Sequence, residues 1–388
     1  MGKIDELIQQ YCPDGVEYKP LGKVCLMERG TSATKGTMQS GEIPVISGGR
    51  QPSFYCNQSN RIGETITVAG SGAGAGYVQY WNEPIFVCDA FSIKGSDNII
   101  TKFIYYFLAS IQEQIYSTKK GGGVPHVHIS SIDKFEIPLP PLPVQEAIVN
   151  ILDRFTVYAA ELQAELQARQ QQYNYYRDTL LSFEGRDDVQ WKKLGEVGTE
   201  WYRGSGIKRE EVGDEGIPCI RYGEIHTTYN IWFDECVSHT DESRQPAKKY
   251  ADHGDILFAI TSEDIPFVGN SVAYLGKERI MVGGDIVVMK HDQDPKYMSY
   301  VLSTSNAVMQ KGKGKVKSKV VHTNVPSLQE IVVPIPSLEE QRRIADILDN
   351  FHSLINNLSQ GLPAEIEARQ QQYEYYRDQL LTFKRKEA

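Results

Sequence analysis

Cysteine is sparse in this 388-residue chain, and its six copies (Cys12, Cys25, Cys56, Cys88, Cys219, Cys236) are scattered with no two-residue-spaced pair. That spacing gives neither a zinc ribbon nor a disulfide framework, and buried free thiols are expected. The chain has no Gly-x-x-x-x-Gly-Lys-Ser/Thr phosphate loop and no glycine fingerprint for a dinucleotide, so nothing indicates nucleotide chemistry. Long apolar runs are missing too. The most apolar stretch, Ile99–Ile111, is too short to cross a bilayer and contains Lys102. Met1 opens a polar segment, MGKIDELIQQ, unlike a secretory leader, so the expected location is cytoplasmic with no membrane partner. Positive charge is in deficit, 41 Lys and Arg against 50 Asp and Glu, a net −9. This argues against general electrostatic attachment to nucleic acid but leaves a local basic face open.

What the chain does have is one stretch twice. ARQQQYNYYRDTLLSF (168–183) returns as ARQQQYEYYRDQLLTF (368–383), differing only at Asn174/Glu374, Thr179/Gln379 and Ser182/Thr382. The repeat reaches upstream: Gln145, Ile148, Ile151, Leu152, Asp153 and Phe155 keep the spacing of Gln341, Ile344, Ile347, Leu348, Asp349 and Phe351. Each set follows a proline cluster, Pro138 to Pro143 and Pro334 to Pro336. Val144, Ile148, Ile151, Phe155, Tyr158, Leu162, Leu166, Arg169, Tyr173, Tyr176 and Leu180 follow at steps of three or four, which predicts one long helix paired with another. About forty residues make a rod of about 60 Å. The economical arrangement pairs the two copies within the chain as antiparallel helices; pairing between two chains is the alternative. The second copy carries an extra Gly361-Leu362-Pro363-Ala364, about one turn, whose proline should kink or interrupt the helix.

The segments before each helix are rich in short β-branched and aromatic runs bounded by Gly, Pro, Asn and Asp, so each is expected to be a β-rich α+β domain with one helix near its end, about 100–117 and about 294–309. They are distant copies of each other. Val16 to Val24 (VEYKPLGKV) answers to Val189 to Val197 (VQWKKLGEV), and Val87 to Phe91 lies beside Gly283 to Val287. The expected boundaries are 1–143, 144–184, 185–336 and 337–388.

Candidate chemistry is thin. The AGSGAGAGY run (69–77) is expected to be a flexible or surface-hugging loop, because its counterpart Thr261 to Pro266 is not glycine-rich. Asp14, Glu17 and Lys19 superficially resemble a nuclease's acidic pair and lysine, but the carboxylates are too close in sequence, and Gln190 replaces Glu17 in the second copy. His126 and His128 are spaced to chelate a metal, yet only the first recurs, as His322, which favours structural or DNA-facing roles. The basic loop Lys311, Lys313, Lys315, Lys317, Lys319 and its counterpart Lys119, Lys120 suit phosphate-backbone contact; a merely solvated loop is the alternative. Arg50 and Arg61 in the first domain, and Arg203, Lys208, Arg209 and Arg221 in the second, are further candidates for reading bases or phosphates.

The proline entry, the Gln-x-x-Ile-x-x-Ile-Leu-Asp-x-Phe run and the ARQQQYxYYRDxLLxF run, present twice and separating two unlike β-rich domains, closely resemble the specificity subunits of type I restriction-modification systems. The resemblance covers the whole chain. It implies two target recognition domains of β-rich α/β type, separated by two long helices forming an antiparallel coiled coil with an internal pseudo-two-fold repeat. It implies a non-catalytic subunit that binds double-stranded DNA at a bipartite site, docks two methyltransferase subunits and joins restriction/translocase subunits. S-adenosylmethionine, ATP and Mg²⁺ would belong to those partners, with no cofactor or metal in this chain. The four extra residues would be about 6 Å of helix, close to two base-pair steps of about 3.4 Å. Gln145, Asp153, Phe155, Tyr173, Tyr176 and Arg177, with Gln341, Asp349, Phe351, Tyr373, Tyr376 and Arg377, are assigned to coiled-coil packing or methyltransferase docking. Two rival readings remain: a coiled-coil scaffold presenting two protein-binding domains, and a fused methyltransferase or nuclease, which the missing methyl-donor motif disfavours.

Overall fold

The structure, a computed structural model, describes residues 2–245, 247–313, 315 and 320–387, with the backbone alone for 353–363. The chain divides into two compact units, 1–164 with 362–388, and 165–361. These do not follow the boundaries drawn from the repeat, because each long helix, Leu142–Leu180 and Leu338–Leu380, is shared between the units.

In the first unit, a four-stranded antiparallel sheet runs in the order Cys25–Arg29, Ala90–Gly95, Thr65–Ala69, Val78–Trp81. A second sheet pairs Ile43–Ile46 antiparallel with Phe54–Cys56 and parallel with Phe86–Val87. The strand Glu17–Pro20 pairs with Glu136–Leu139, which delivers the chain into the first long helix. The second unit repeats this plan. Gly198–Arg203, Ile286–His291, Ile256–Ala259 and Ser271–Tyr274 stand in the same order, extended at the edge by Trp232–Phe233. Ile217–Ile220 again lies between an antiparallel neighbour, Ser238–Thr240, and a parallel one, Ile280–Val282, and Gln190–Lys193 pairs with Val332–Ile335. The order of weak matches along the sequence is therefore the order of equivalent strands.

Each helix expected near the end of a domain is split in two, Thr101–Ser110 with Gln112–Ser117, and Pro295–Leu302 with Ser305–Gly312. In the second domain the Thr304 side chain accepts from the amide of Ala307 and starts the new helix. The AGSGAGAGY run is a packed turn. Gly72 and Gly76 hold φ of 80° and 86°, and a Cβ at Gly74 would sit 2.5 Å from the Gly48 carbonyl oxygen. Pro363 does not interrupt the second long helix, which is helical from Leu338 to Leu380.

The helix stripe is not one seam. Val144, Ile148 and Leu152 are buried in the core of the first domain, beside Leu380 and Leu381 from the far end of the second helix. In the second unit Ile344, Ala345 and Leu348 join the domain core beside Leu181 and Phe183. Only beyond these stretches do the helices face each other. In the first unit Phe155 packs on Tyr373 and Tyr376 at 6.4 and 5.7 Å between ring centres, and the Tyr158 hydroxyl donates to Glu365 at 3.0 Å. In the second, Tyr173 packs on His352 and Tyr176 on Phe351, at 6.0 and 6.2 Å. In both units a rising number on one helix meets a falling number on the other, so the pairing is antiparallel. Tyr158, Tyr176 and Phe351 remain exposed, because a stripe that has already spent its first third on a domain has less seam to cover.

Helix and domain are joined by polar locks as well. Gln145 is fully buried; its carbonyl oxygen accepts from the amide of Ile100 and its amide donates to the carbonyls of Asn98 and Pro140. Gln341 accepts likewise from the amide of Asp294 and donates to the Pro336 carbonyl and to the side-chain oxygen of Gln293. Asp153 receives Lys102 at 2.8 Å and the Tyr106 hydroxyl at 2.5 Å. Asp349 receives Lys296, the Tyr300 hydroxyl at 2.7 Å and the Trp232 indole at 3.1 Å. The Asp349→Ala change should lower unfolding free energy by about 2–3 kcal/mol in urea titration, since it strands a lysine, a phenol and an indole donor. A loss below about 0.5 kcal/mol would make Asp349 an ordinary surface carboxylate.

Glu340 is clasped by Arg343 and Arg186, at 2.7 and 3.0 Å. The hydrogen bond from Arg343, then that from Arg186, pulls its carboxyl from 4.5 down to about 2. A depressed pKa contributes stability that is present above pH 4.5 and disappears as pH falls toward 2. Glu340→Gln should flatten that part of the curve of urea midpoint against pH; an unchanged acid limb would mean that the clasp carries no stability.

Candidate nucleic-acid interface

Each domain carries a groove built at the same place in its strand plan. In the second domain, strand Gly198–Arg203 ends at an Arg-Gly pair. The Gly204 amide donates to Ile286 and the Ser205 amide to Val282, drawing this loop against the one before strand Ile286–His291. A Cβ at Gly204 would lie 2.2 Å from the Gly283 carbonyl oxygen, so only glycine permits the approach. The groove between the loops, about 490 Å³, is lined by Arg203, Lys208, Arg209 and Arg221, with Tyr222 and one carboxylate, Asp285. Arg203 is held by Asp285 at 2.7 Å and by the Gly284 carbonyl, yet 60% of its side chain stays exposed. The four cations lie on three separate chain segments, so the sequence offers no run that announces them.

In the first domain, strand Cys25–Arg29 ends in Arg29-Gly30. The Gly30 amide donates to Ala90 and the Thr31 amide to Val87, the same pair of bonds, and a Cβ at Gly30 would lie 2.1 Å from the Cys88 carbonyl oxygen. The groove, about 670 Å³, is lined by Arg29, Ser32, Ser47, Asp89, His126 and His128 among others. Asp89 takes the place of Asp285 and accepts the Ser71 hydroxyl. The rings of His126 and His128 stack at 6.1 Å, and Arg29 contacts His128 Nδ1 at 3.3 Å. Among the described residues no group of three His, Cys, Asp or Glu is placed to hold a metal.

Sequence reasoning named Arg203, Lys208, Arg209, Arg221 and His126, and these line the grooves. It weighed His128 beside His126 for a DNA-facing role, and it missed Arg29, Asp89 and Asp285. The signal was present in the Arg-Gly dipeptide that closes an aligned strand in both copies. Two of the expected contacts are corrected. Arg61 is a structural tie: its guanidinium donates to Ser92 and to the carbonyls of Asn60 and Arg29, and pairs with Glu28 at 3.2 Å. Lys311 is buried, with Nζ donating to the Leu302 carbonyl at 2.7 Å, and cannot meet a phosphate on the surface.

Other candidates lie outside the grooves. Arg50 sits over Tyr77 and Lys119 over Tyr116, at 5.1 and 4.0 Å. Lys120 pairs through its backbone with His126. Lys313 is exposed and Lys315 half-buried. His322, also exposed, contacts Thr261 at 3.1 Å, the counterpart of the Ser71 to His126 bridge. Lys317 and Lys319 lie outside the described residues.

The helix residues divide in the same way. Gln145 and Gln341 are corrected: fully buried and bonded within their own domains, they tie helix to domain and are closed to an incoming subunit. Asp153 and Asp349, still partly exposed, also anchor the helix to its domain through Lys102 and Lys296. Phe155, Tyr373 and Tyr376, and in the second unit Tyr173, Tyr176 and Phe351, are packing residues. Arg177 pairs with Asp178 at 2.7 Å and lies over Tyr173, as Arg377 pairs with Asp378 at 2.8 Å and lies over Tyr373. Burial pushes the phenols of Tyr173 and Tyr373 up to about 12.

The family model described as type I restriction modification DNA specificity domain matches this chain twice, over residues 13–169 and 186–368. The chain belongs to that family. It is a DNA specificity subunit, a reading component without catalytic chemistry of its own. It is 30% identical over 400 residues to the EcoR124I/EcoR124II specificity subunit of Escherichia coli, covering 96% of this chain and 95% of the relative. A putative type I restriction enzyme specificity subunit from Haemophilus influenzae is 28% identical, with 95% and 96% covered. The fold is shared with the type I S subunit of M. genitalium, at a TM-score of 0.54 and 18% identity over 94% of this chain and 95% of that one. It is shared also with a chain from work on complex assembly and conformational transition of the type I system, at 0.63 and 17% over 95% and 98%. Among the described residues no helix is long and apolar enough to cross a membrane.

If Lys208 and Arg209 each neutralise one phosphate, replacing either with alanine should reduce the slope of log affinity against log salt by about 0.9 on duplex DNA, read by fluorescence anisotropy. An unchanged slope in both variants would remove this groove from the DNA contact.

Proposed function

We propose that this specificity subunit reads a bipartite duplex, each half in the groove of one domain, with the long helices setting the unread gap. The observation that carries the reading is the construction of both grooves by one device, the strand-ending Arg-Gly pair tied back to a loop bearing Asp89 or Asp285. Around that shared frame the side chains differ, arginine and lysine in one domain, histidine and serine in the other, so the two halves of the site should be unlike. The net charge of −9 does not oppose this, since four cations face one carboxylate in the second groove.

The helices supply the second surface. Val157, Tyr158, Tyr175, Tyr176, Phe351 and Tyr375 are exposed, with Tyr175 at 66%. Rings in such numbers on paired helices suit a large protein partner, here two methyltransferase subunits, one per repeat. S-adenosylmethionine, ATP and Mg²⁺ would be held by those subunits and by the restriction subunits, and the assembly would work on DNA in the cytoplasm.

The test is co-expression of this chain with its methyltransferase subunit, followed by sequencing that maps methylated adenines. A single bipartite motif with a constant gap, lost when this gene is deleted, is the expected result. Methylation that persists after deletion would reject the reading and favour a scaffold.

A further inference from the structure

A cavity of about 310 Å³ lies in the second unit between the first long helix, the helix Tyr222–Thr227 and the helix Ser305–Gly312. It is separate from the DNA groove, and none of the described residues that line it is a carboxylate. Three of those residues are polar and at least nine-tenths buried: Lys311 at 6% exposure, Tyr173 at 5% and Arg177 at 9%. A buried cation is ordinarily paired, because an unpaired charge out of water is costly.

Arg177 has its partner in Asp178, whose other oxygen accepts from the amide of Ser305 at 3.1 Å. Lys311 has none. Its ammonium donates to the Leu302 carbonyl at 2.7 Å and reaches the Ser271 hydroxyl only at 3.4 Å, which leaves one of its three protons without an acceptor among the described residues. Burial alone pushes it down to about 7. Tyr173 adds a second anomaly. It comes from a different element, lines the same cavity, and its buried hydroxyl has no hydrogen-bond partner. A lysine present only to cap Leu302 would account for neither the cavity nor the idle phenol. Under-used buried donors that line a space without acid suit an anion.

We propose that this cavity binds a small oxyanion of the phosphate or sulfate class, with Lys311 as its counter-charge and Tyr173 as a hydrogen-bond donor. Such a ligand touches the long helix and the recognition domain together and therefore stiffens their attachment.

The test is isothermal titration of the full chain with inorganic phosphate at constant ionic strength, balanced with chloride. One saturable site is expected. Tyr173→Phe deletes no bond within the protein and should fold normally, yet should weaken phosphate about tenfold, the worth of one hydrogen bond to a charged acceptor. Lys311→Met, similar in volume, should abolish the site, and its melting temperature should no longer rise with phosphate. Heats no larger than the chloride control in the unaltered chain, or affinities within about twofold in both variants, would overturn the proposal. Repetition with saturating duplex checks the separation from the DNA groove: unchanged affinity is expected for a free anion, whereas competition would place the phosphate in the DNA contact and overturn the proposal.

Discussion

One carboxylate in the first third of each long helix, Asp153 and Asp349, decides how this protein is built. Each collects a lysine and a tyrosine hydroxyl from one helix of its domain, Lys102 and Tyr106 of Thr101–Ser110 in one copy, Lys296 and Tyr300 of Pro295–Leu302 in the other. About two turns upstream, the buried amides of Gln145 and Gln341 fasten the helix start to domain backbone. A helix otherwise able to swing about its proline entry is thereby held at two heights. Everything that follows along it, aromatic packing and exposed tyrosines alike, inherits its direction from this attachment.

The duplication was legible because it is written in side chains that recur at constant spacing. Even the faint matches between domains proved to be equivalent strands, as with VEYKPLGKV and VQWKKLGEV, each a strand followed by one helical turn. What the stripe of apolar residues could not reveal was its opposing surface. Periodicity reports that Val144 and Ile148 are covered, and is silent on whether a helix or a sheet covers them. The conserved look of Gln145 and Asp153 across the repeat invited a role in docking, when the positions they serve are backbone groups and a lysine of their own domain.

The grooves were harder, for a reason of physics rather than of pattern. A binding surface assembled from loop ends takes single residues from distant segments, so Arg203, Lys208 and Arg221 gain meaning only when Gly204 lets two loops close on each other. Conversely, the most conspicuous charge run misled at its first member: Lys311 belongs to a helix whose amphipathic register turns it inward. A count of lysines measures neither burial nor direction. The same limit applies to the net charge, which averages over a surface that the DNA never meets.

The two units differ in one respect that equivalence of fold conceals. The second is a single stretch of chain, and its helix end passes through Phe183 to Val189 by covalent bonds. In the first, the corresponding junction is made between distant residues: the Val16 amide donates to Lys384, the Lys386 amide to Val16, and the Tyr18 hydroxyl to Phe383. Residues 362–388 leave the ribosome after all of 1–361, so the domain begun first is the last to be completed. During synthesis the second unit can close on its own, while the first waits with Leu380 and Leu381 missing from its core and its entry strand unbridged. Truncated translation products would thus retain one finished reading domain and one unfinished, and the cell would meet the unfinished one as exposed apolar surface.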